Sequence, residues 1–277
     1  MKIHSVKGTI YLIDEYRIKY TICDIEQIFY QDESYKYIFR PVYKIIDLLD
    51  SSFFQGIPGI NLDLRKDEYI RENILPTFIY ERTPQENRQD LWELLDEVNM
   101  KYLDKLEWLI RSDRTYSGDS LGVDRYIEPS IKSEIDNVVC GDKIIIHSFD
   151  MITKSNFDLL KKLLKVITSG AYLKTDNFVI NDVNRGNLLA VIKNMYIYEF
   201  MKRKNSQKAG IKRAKAENKF RGRKKINVPL PRLEEVIERM DKKELTADEA
   251  IKVLRLNSKS TLYRRIKEFR KSKEQYY

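Results

Sequence analysis

The sequence predicts an α/β protein: a mostly parallel sheet flanked by helices, a small β-rich domain before it, and a long helix and a small helical domain after it. Three features point there. Short apolar runs alternate with amphipathic helical stretches between residues 75 and 183. Short β-branched and aromatic runs crowd the first 73 residues. A proline-free helical pattern begins near Asn184 and runs to about Asn218.

Residues 1–73 form the expected β-rich domain, with strands at 9–13, 17–22 and 35–39, a helix at 42–49, a turn at 56–59 and an alternating strand at 62–65. Residues 74–183 form the expected α/β domain. Its parallel strands fall at 77–80, 106–110, 143–146 and 172–173, and its helices at 86–100, 124–138 and 155–168. Residues 112–122 are polar and read as a loop. Gly141 and Asp142 turn the chain into the third strand, Ser155 caps the following helix and Gly170 stops it.

Lysine and arginine number 51 against 42 aspartates and glutamates, a net charge of +9. Twelve of the cations lie between residues 201 and 225 with a single acid, Glu217, so the rest of the chain sums to −2. The basicity therefore belongs to one segment and points to an anionic partner there. Cys23, Cys140, His4 and His147 give neither a disulfide framework nor metal-ligand spacing, so neither metal nor cofactor is expected. No apolar run reaches the roughly 18 residues of a membrane span and nothing resembles a signal peptide. The expectation is a cytoplasmic protein without a membrane partner.

Residues 184–219 are expected to form one helix extending about 50 Å. Its first half is apolar on one side through Leu188, Leu189, Val191, Ile192, Met195, Tyr196 and Tyr198, and its second half is basic. That pattern suits a homodimer seam leading onto double-stranded DNA. Residues 220–231 read as a basic arm for the minor groove. Residues 232–277 read as three short helices in a helix-turn-helix, whose dimer would recognise an inverted repeat. The expected DNA contacts are Lys208, Lys212, Arg213, Lys215 and Lys219 on the helix, and Arg221, Arg223, Lys224 and Lys225 on the arm. Lys259, Ser260, Thr261, Tyr263 and Arg264 follow on the last helix.

Several motifs occur in a characteristic order. Asp124-Arg125 comes first, then Cys140-Gly141-Asp142 leading to Asp150. Glu199, Gly210, Ala214-Lys215-Ala216, Phe220 and Gly222-Arg223 follow, before the terminal helices. Over residues 75 to 270 this order resembles the serine recombinases of the resolvase/invertase family. The resemblance implies a resolvase-like sheet domain, a long helix serving dimer or tetramer assembly, and metal-free attack of a serine on a DNA phosphodiester, assisted by arginines. Residues 1–73 are extra to that plan and could meet a protein partner. Phage or mobile-element biology, in a bacterial or phage-infected cell and associated with the nucleoid, would be the setting.

The implied catalytic positions are degenerate. Tyr80, Arg82, Arg125 and Asp150 match the family's pattern. Pro84 stands where the nucleophilic serine belongs, Met151 replaces one arginine and Lys154 another. Thr83 is one position early, and Ser117 or Ser155 would be the substitute nucleophiles. Lysine keeps charge but loses the bidentate fork of arginine. The sequence therefore implies a catalytically inactive recombinase scaffold acting as a sequence-specific dimeric DNA-binding protein, either a transcription regulator or a DNA-architectural accessory factor. An active invertase, resolvase or integrase with a rearranged site is the alternative.

Overall fold

In the computed structural model, which describes residues 2–217, 219 and 228–274, two long strands open the chain. β1 (Lys2–Ile13) and β2 (Lys19–Tyr30) pair antiparallel. Asp14 closes their turn, accepting the Tyr16 and Ile18 amides at 3.0 and 2.9 Å. β3 (Tyr35–Pro41) and β4 (Tyr69–Glu72) extend the sheet beyond β2, and β5 (Leu121–Arg125) pairs with β1. The order is β4-β3-β2-β1-β5 and every pairing is antiparallel. Ile10, Tyr11 and Leu12 are buried in succession, as are Ile22 and Cys23, so both faces of the central strands are covered.

Four short helices lie between these strands: α1 (Tyr43–Ile46), α2 (Thr77–Tyr80), α3 (Leu91–Glu97) and α4 (Lys105–Ser112). Asp104 starts α4 by accepting the Glu107 amide at 2.9 Å. Leu106, Leu109 and Ile110 then fall on one face and are buried, with α4 packed on β1 and β5.

A second sheet carries the parallel pairings. It contains β6 (Ile131–Lys132), β7 (Lys143–Ile145), β8 (Tyr172–Lys174) and β9 (Val179–Ile180) in that order. β6–β7 and β7–β8 are parallel and β8–β9 is antiparallel. α5 (Asn156–Ser169) makes the crossover from β7 to β8 and packs on β2. Gly170 ends it at φ +81°, where an added Cβ would meet Lys44 Cε at 2.9 Å.

α6 (Arg185–Ala216) follows as a single helix of 32 residues. Leu189, Ile192 and Tyr196 join the core of the sheets, while Lys193 pairs with Asp14 at 3.0 Å and donates to the Tyr20 hydroxyl at 2.7 Å. The last three helices are α7 (Leu230–Asp241), α8 (Ala247–Val253) and α9 (Lys259–Glu274). By its contacts the chain divides into two units, one ending at Ser206 and one beginning at Gln207.

The structure corrects several expectations. The larger sheet is antiparallel, not a resolvase-like parallel sheet. The runs at 77–80 and 106–110 are helices, because a short apolar run looks the same whether it is buried in a strand or a helix. The helix expected at 124–138 is absent: β5 takes its start and β6 its middle. The helix expected at 86–100 spans only Leu91–Glu97, and 62–64 is a 3-10 turn capped by Asn61. Residue 73 is no domain boundary, since β5 completes the N-terminal sheet and one core runs from Val6 to Tyr196. The expected strands near 143 and 172, the helix to Gly170, the long helix and the three terminal helices are all present.

Candidate nucleic-acid interface

The final turns of α6 carry seven cations and no acid between Met201 and Ala216. Lys204, Lys208, Lys212 and Lys215 fall at helical spacing on one stripe, and all four are exposed. Lys208, Lys212, Arg213 and Lys215 form no ion pair among the described residues, whereas Lys219 is held by Glu217 at 2.6 Å. Like charges four apart destabilise an isolated helix by about 0.2–0.5 kcal/mol per pair. A polyanion laid along the stripe would relieve that repulsion. Lys204, which sequence reasoning passed over, is legible afterwards as the stripe's first member.

The three-helix unit has its own core of Leu233, Val236, Ile237, Ala250, Leu254, Leu256 and Leu262. Thr246 starts α8 with a reciprocal capping box: its hydroxyl accepts the Glu249 amide, and its own amide donates to the Glu249 carboxylate at 2.8 Å. Arg255 turns the chain at φ +53°, and Ser258 Oγ meets Thr261 Oγ1 at 3.0 Å at the start of α9. Leu262 is fully buried, with Ile266 and Phe269 packed on the same core.

That burial fixes which side of α9 faces outward. Ser260, Tyr263, Arg264 and Lys267 are exposed and lie at i, i+3, i+4 and i+7. Thr261 is half-buried beside Ser258. Lys259 is exposed but pairs with Asp248 at 2.8 Å. Lys267 was missed by sequence reasoning, though its spacing from Ser260 carries the signal. Arg221, Arg223, Lys224 and Lys225, with most of the expected arm, lie outside the described residues.

The positions implied by the recombinase resemblance do not converge. Tyr80 ends α2 and is exposed. Arg82 is buried, donating to the Phe78 carbonyl at 3.1 Å and to Asp119, with Phe78 and Tyr116 against its guanidinium. The Thr83 hydroxyl donates to the Ile79 carbonyl at 2.9 Å, and Pro84 is buried. Arg125 ends β5 and pairs with Glu107 at 2.5 Å. Asp150, exposed Met151 and exposed Lys154 follow β7 of the other sheet, as does exposed Ser155; Ser117 is exposed in the loop before β5. No hydrogen bond or ion pair joins any two of Tyr80, Arg82, Arg125 and Asp150 among the described residues.

Among the described residues, no helix is long and apolar enough to cross a membrane. No protein-family model, curated protein or solved structure matches this chain.

Proposed function

We propose that this chain is a sequence-specific, homodimeric double-stranded DNA-binding protein that serves as a transcription regulator or DNA-architectural accessory factor of a phage or mobile element. The observation that carries the reading is the outward face of α9. Ser260, Tyr263, Arg264 and Lys267 project from a three-helix unit that follows a helix with an unpaired cationic stripe. α8, its tight turn and α9 would be the helix-turn-helix, with α9 in the major groove. Lys208, Lys212, Arg213 and Lys215 would neutralise flanking phosphates, and Arg264 suits bidentate reading of guanine.

The order β7, Asp150, α5, β8, α6 and the terminal helices suits the C-terminal portion of a resolvase-like scaffold. The antiparallel sheet before it does not. Pro84 and the engaged Thr83 hydroxyl leave no nucleophile where the resemblance would put one. For dimerisation, Val191, Met195 and Tyr198 form an exposed apolar stripe at i, i+4 and i+7 on α6.

Selection of bound duplexes followed by footprinting tests the proposal. The expected site is an inverted repeat. Arg264→Ala should relax preference at one base pair by about 1–3 kcal/mol, whereas Lys212→Gln should weaken all sequences alike and reduce the salt slope by about one. Absence of any salt-dependent duplex binding would overturn the reading. A covalent protein–DNA adduct on supercoiled plasmid carrying two sites would instead favour the recombinase alternative.

A further inference from the structure

A second concentration of cations rims a cleft of the sheet unit and plays no part in the DNA reading. A cleft of about 340 Å³ opens between the β1–β2 turn, α5 and the loop at Ile135. Its floor is apolar and buried: Ile18, Ile135, Leu164 and Tyr196 are each 7% exposed or less. Its walls carry Arg17, Lys19, Lys161, Lys162 and Lys165 against two acids, Asp136 and Asp158.

The charges do not cancel locally. Lys162 lies 3.9 Å from Asp136 and 3.8 Å from Asp158, and so serves both acids. Lys19 pairs with Asp124 at 3.0 Å. Arg17, Lys161 and Lys165 make no ion pair among the described residues. The Lys165 ammonium is held below the ordinary lysine range, first by its packed surroundings and then, against the pull of Asp136, by Lys132, Lys161 and Lys19. Lys19 and Lys165 also line an adjoining cavity of about 180 Å³ that contains Thr9, Thr21 and Ser169. Arg17 sits on a turn that Asp14 locks through two backbone amides, so its position is fixed by the fold.

Like charges gathered at a concave site repel one another unless a counter-anion fills it. A single carboxylate supplies one negative charge to three unpaired cations, whereas a phosphate monoester supplies up to two and presents three acceptor oxygens. The volume lies within the range of small-molecule pockets, and the apolar floor would be left wet by an inorganic ion alone. A DNA backbone, lying on a convex rod, would not reach that floor. We propose that this cleft binds a small organic phosphate, with its phosphoryl oxygens on Arg17, Lys161 and Lys165 and its apolar body on Ile18, Leu164 and Tyr196.

Calorimetric titration of the full chain with phenyl phosphate, inorganic phosphate and benzoate tests this. Phenyl phosphate should bind saturably, about tenfold or more tighter than either comparison, because only it supplies both the dianion and an apolar body. Lys161→Gln/Lys165→Gln should weaken it by about tenfold or more while duplex DNA affinity stays within about twofold. Both residues are exposed on α5 and glutamine is a good helix former, so the fold should persist. Arg17→Gln, on a different element, should weaken it independently. Three outcomes would each overturn the proposal: phenyl phosphate binding no tighter than inorganic phosphate, unchanged binding in all the variants, or a parallel loss of DNA affinity, which would assign the cleft to DNA. Failure of the DNA reading would leave this test unaffected.

Discussion

Asp142 and Arg185 show how single buried charges hold the smaller sheet. The Asp142 side chain is fully buried and accepts from Lys132 Nζ at 2.6 Å and from the Ser130 and Val139 amides at 2.7 and 2.9 Å. Burial alone would raise its pKa, but the Lys132 hydrogen bond and the two amides outweigh that and hold it below the ordinary carboxylate range. A depressed carboxylate contributes stability above its unfolded value, near ~3.9, and loses it as pH falls through the folded value. Asp142→Asn should therefore cost about 3 kcal/mol at neutral pH and flatten the acid arm of the urea-midpoint profile below about pH 4. Arg185 is 1% exposed and donates to the Val166, Ile167 and Ala171 carbonyls at 3.3, 2.9 and 2.8 Å, closing the C-terminal end of α5. Arg185→Met removes one donor from each of those carbonyls and breaks the 3.0 Å pair with Asp182. A loss of about 3–5 kcal/mol in equilibrium unfolding is expected. The Gly141-Asp142 turn was legible in the sequence, because glycine at φ +84° is a turn residue by type. The role of Arg185 was not: Asp182, three positions back, accepts from it at 3.0 Å, but the carbonyls it closes lie 14 to 19 positions away.

At the scale of elements, capping explains both a success and a miss. Thr246 and Glu249 sit three apart ahead of an apolar-periodic stretch, and their capping box forms. Thr246→Ala should destabilise the three-helix unit by about 1 kcal/mol in denaturant unfolding. Asp104 and Glu107 stand at the same spacing before Leu106, Leu109 and Ile110, so the signal for α4 was in the sequence and was overridden by its short apolar run. Gly122 decides the next segment. An added Cβ there would stand 2.5 Å from the Tyr11 hydroxyl, a close approach that β5 makes by pairing with β1 and that no local pattern announces. α6 divides by face: Leu189, Ile192 and Tyr196 are buried, while Val191, Met195 and Tyr198 are 53–66% exposed. Val191→Asp/Met195→Asp should convert a dimer to monomer in sedimentation velocity and leave the melting of the sheet unit nearly unchanged. A monomeric wild type would count against the proposed seam.

Over the whole molecule, two cores share no member: one runs from Val6 to Tyr196, the other from Leu233 to Leu262. Denaturant unfolding should accordingly show two transitions, with tryptophan fluorescence reporting only the first, because Trp92 and Trp108 both lie before Ser206. A single coincident transition by fluorescence and circular dichroism would mean that the units unfold as one. The sequence by itself determined what depends on neighbours within a turn or two. These features are the long uninterrupted helix, the basic segment within it, the stop at Gly170 and the three terminal helices. Helical periodicity and caps act over three or four residues and are readable in the chain. Tertiary structure alone decided which strands pair and in which direction, because β pairing is settled by partners far apart in sequence. It made the larger sheet antiparallel, drew β5 into the N-terminal sheet and kept Arg82, Arg125 and Asp150 apart. It also brought Arg17, Lys161 and Lys165 around one cleft, through contacts between segments more than 100 residues apart.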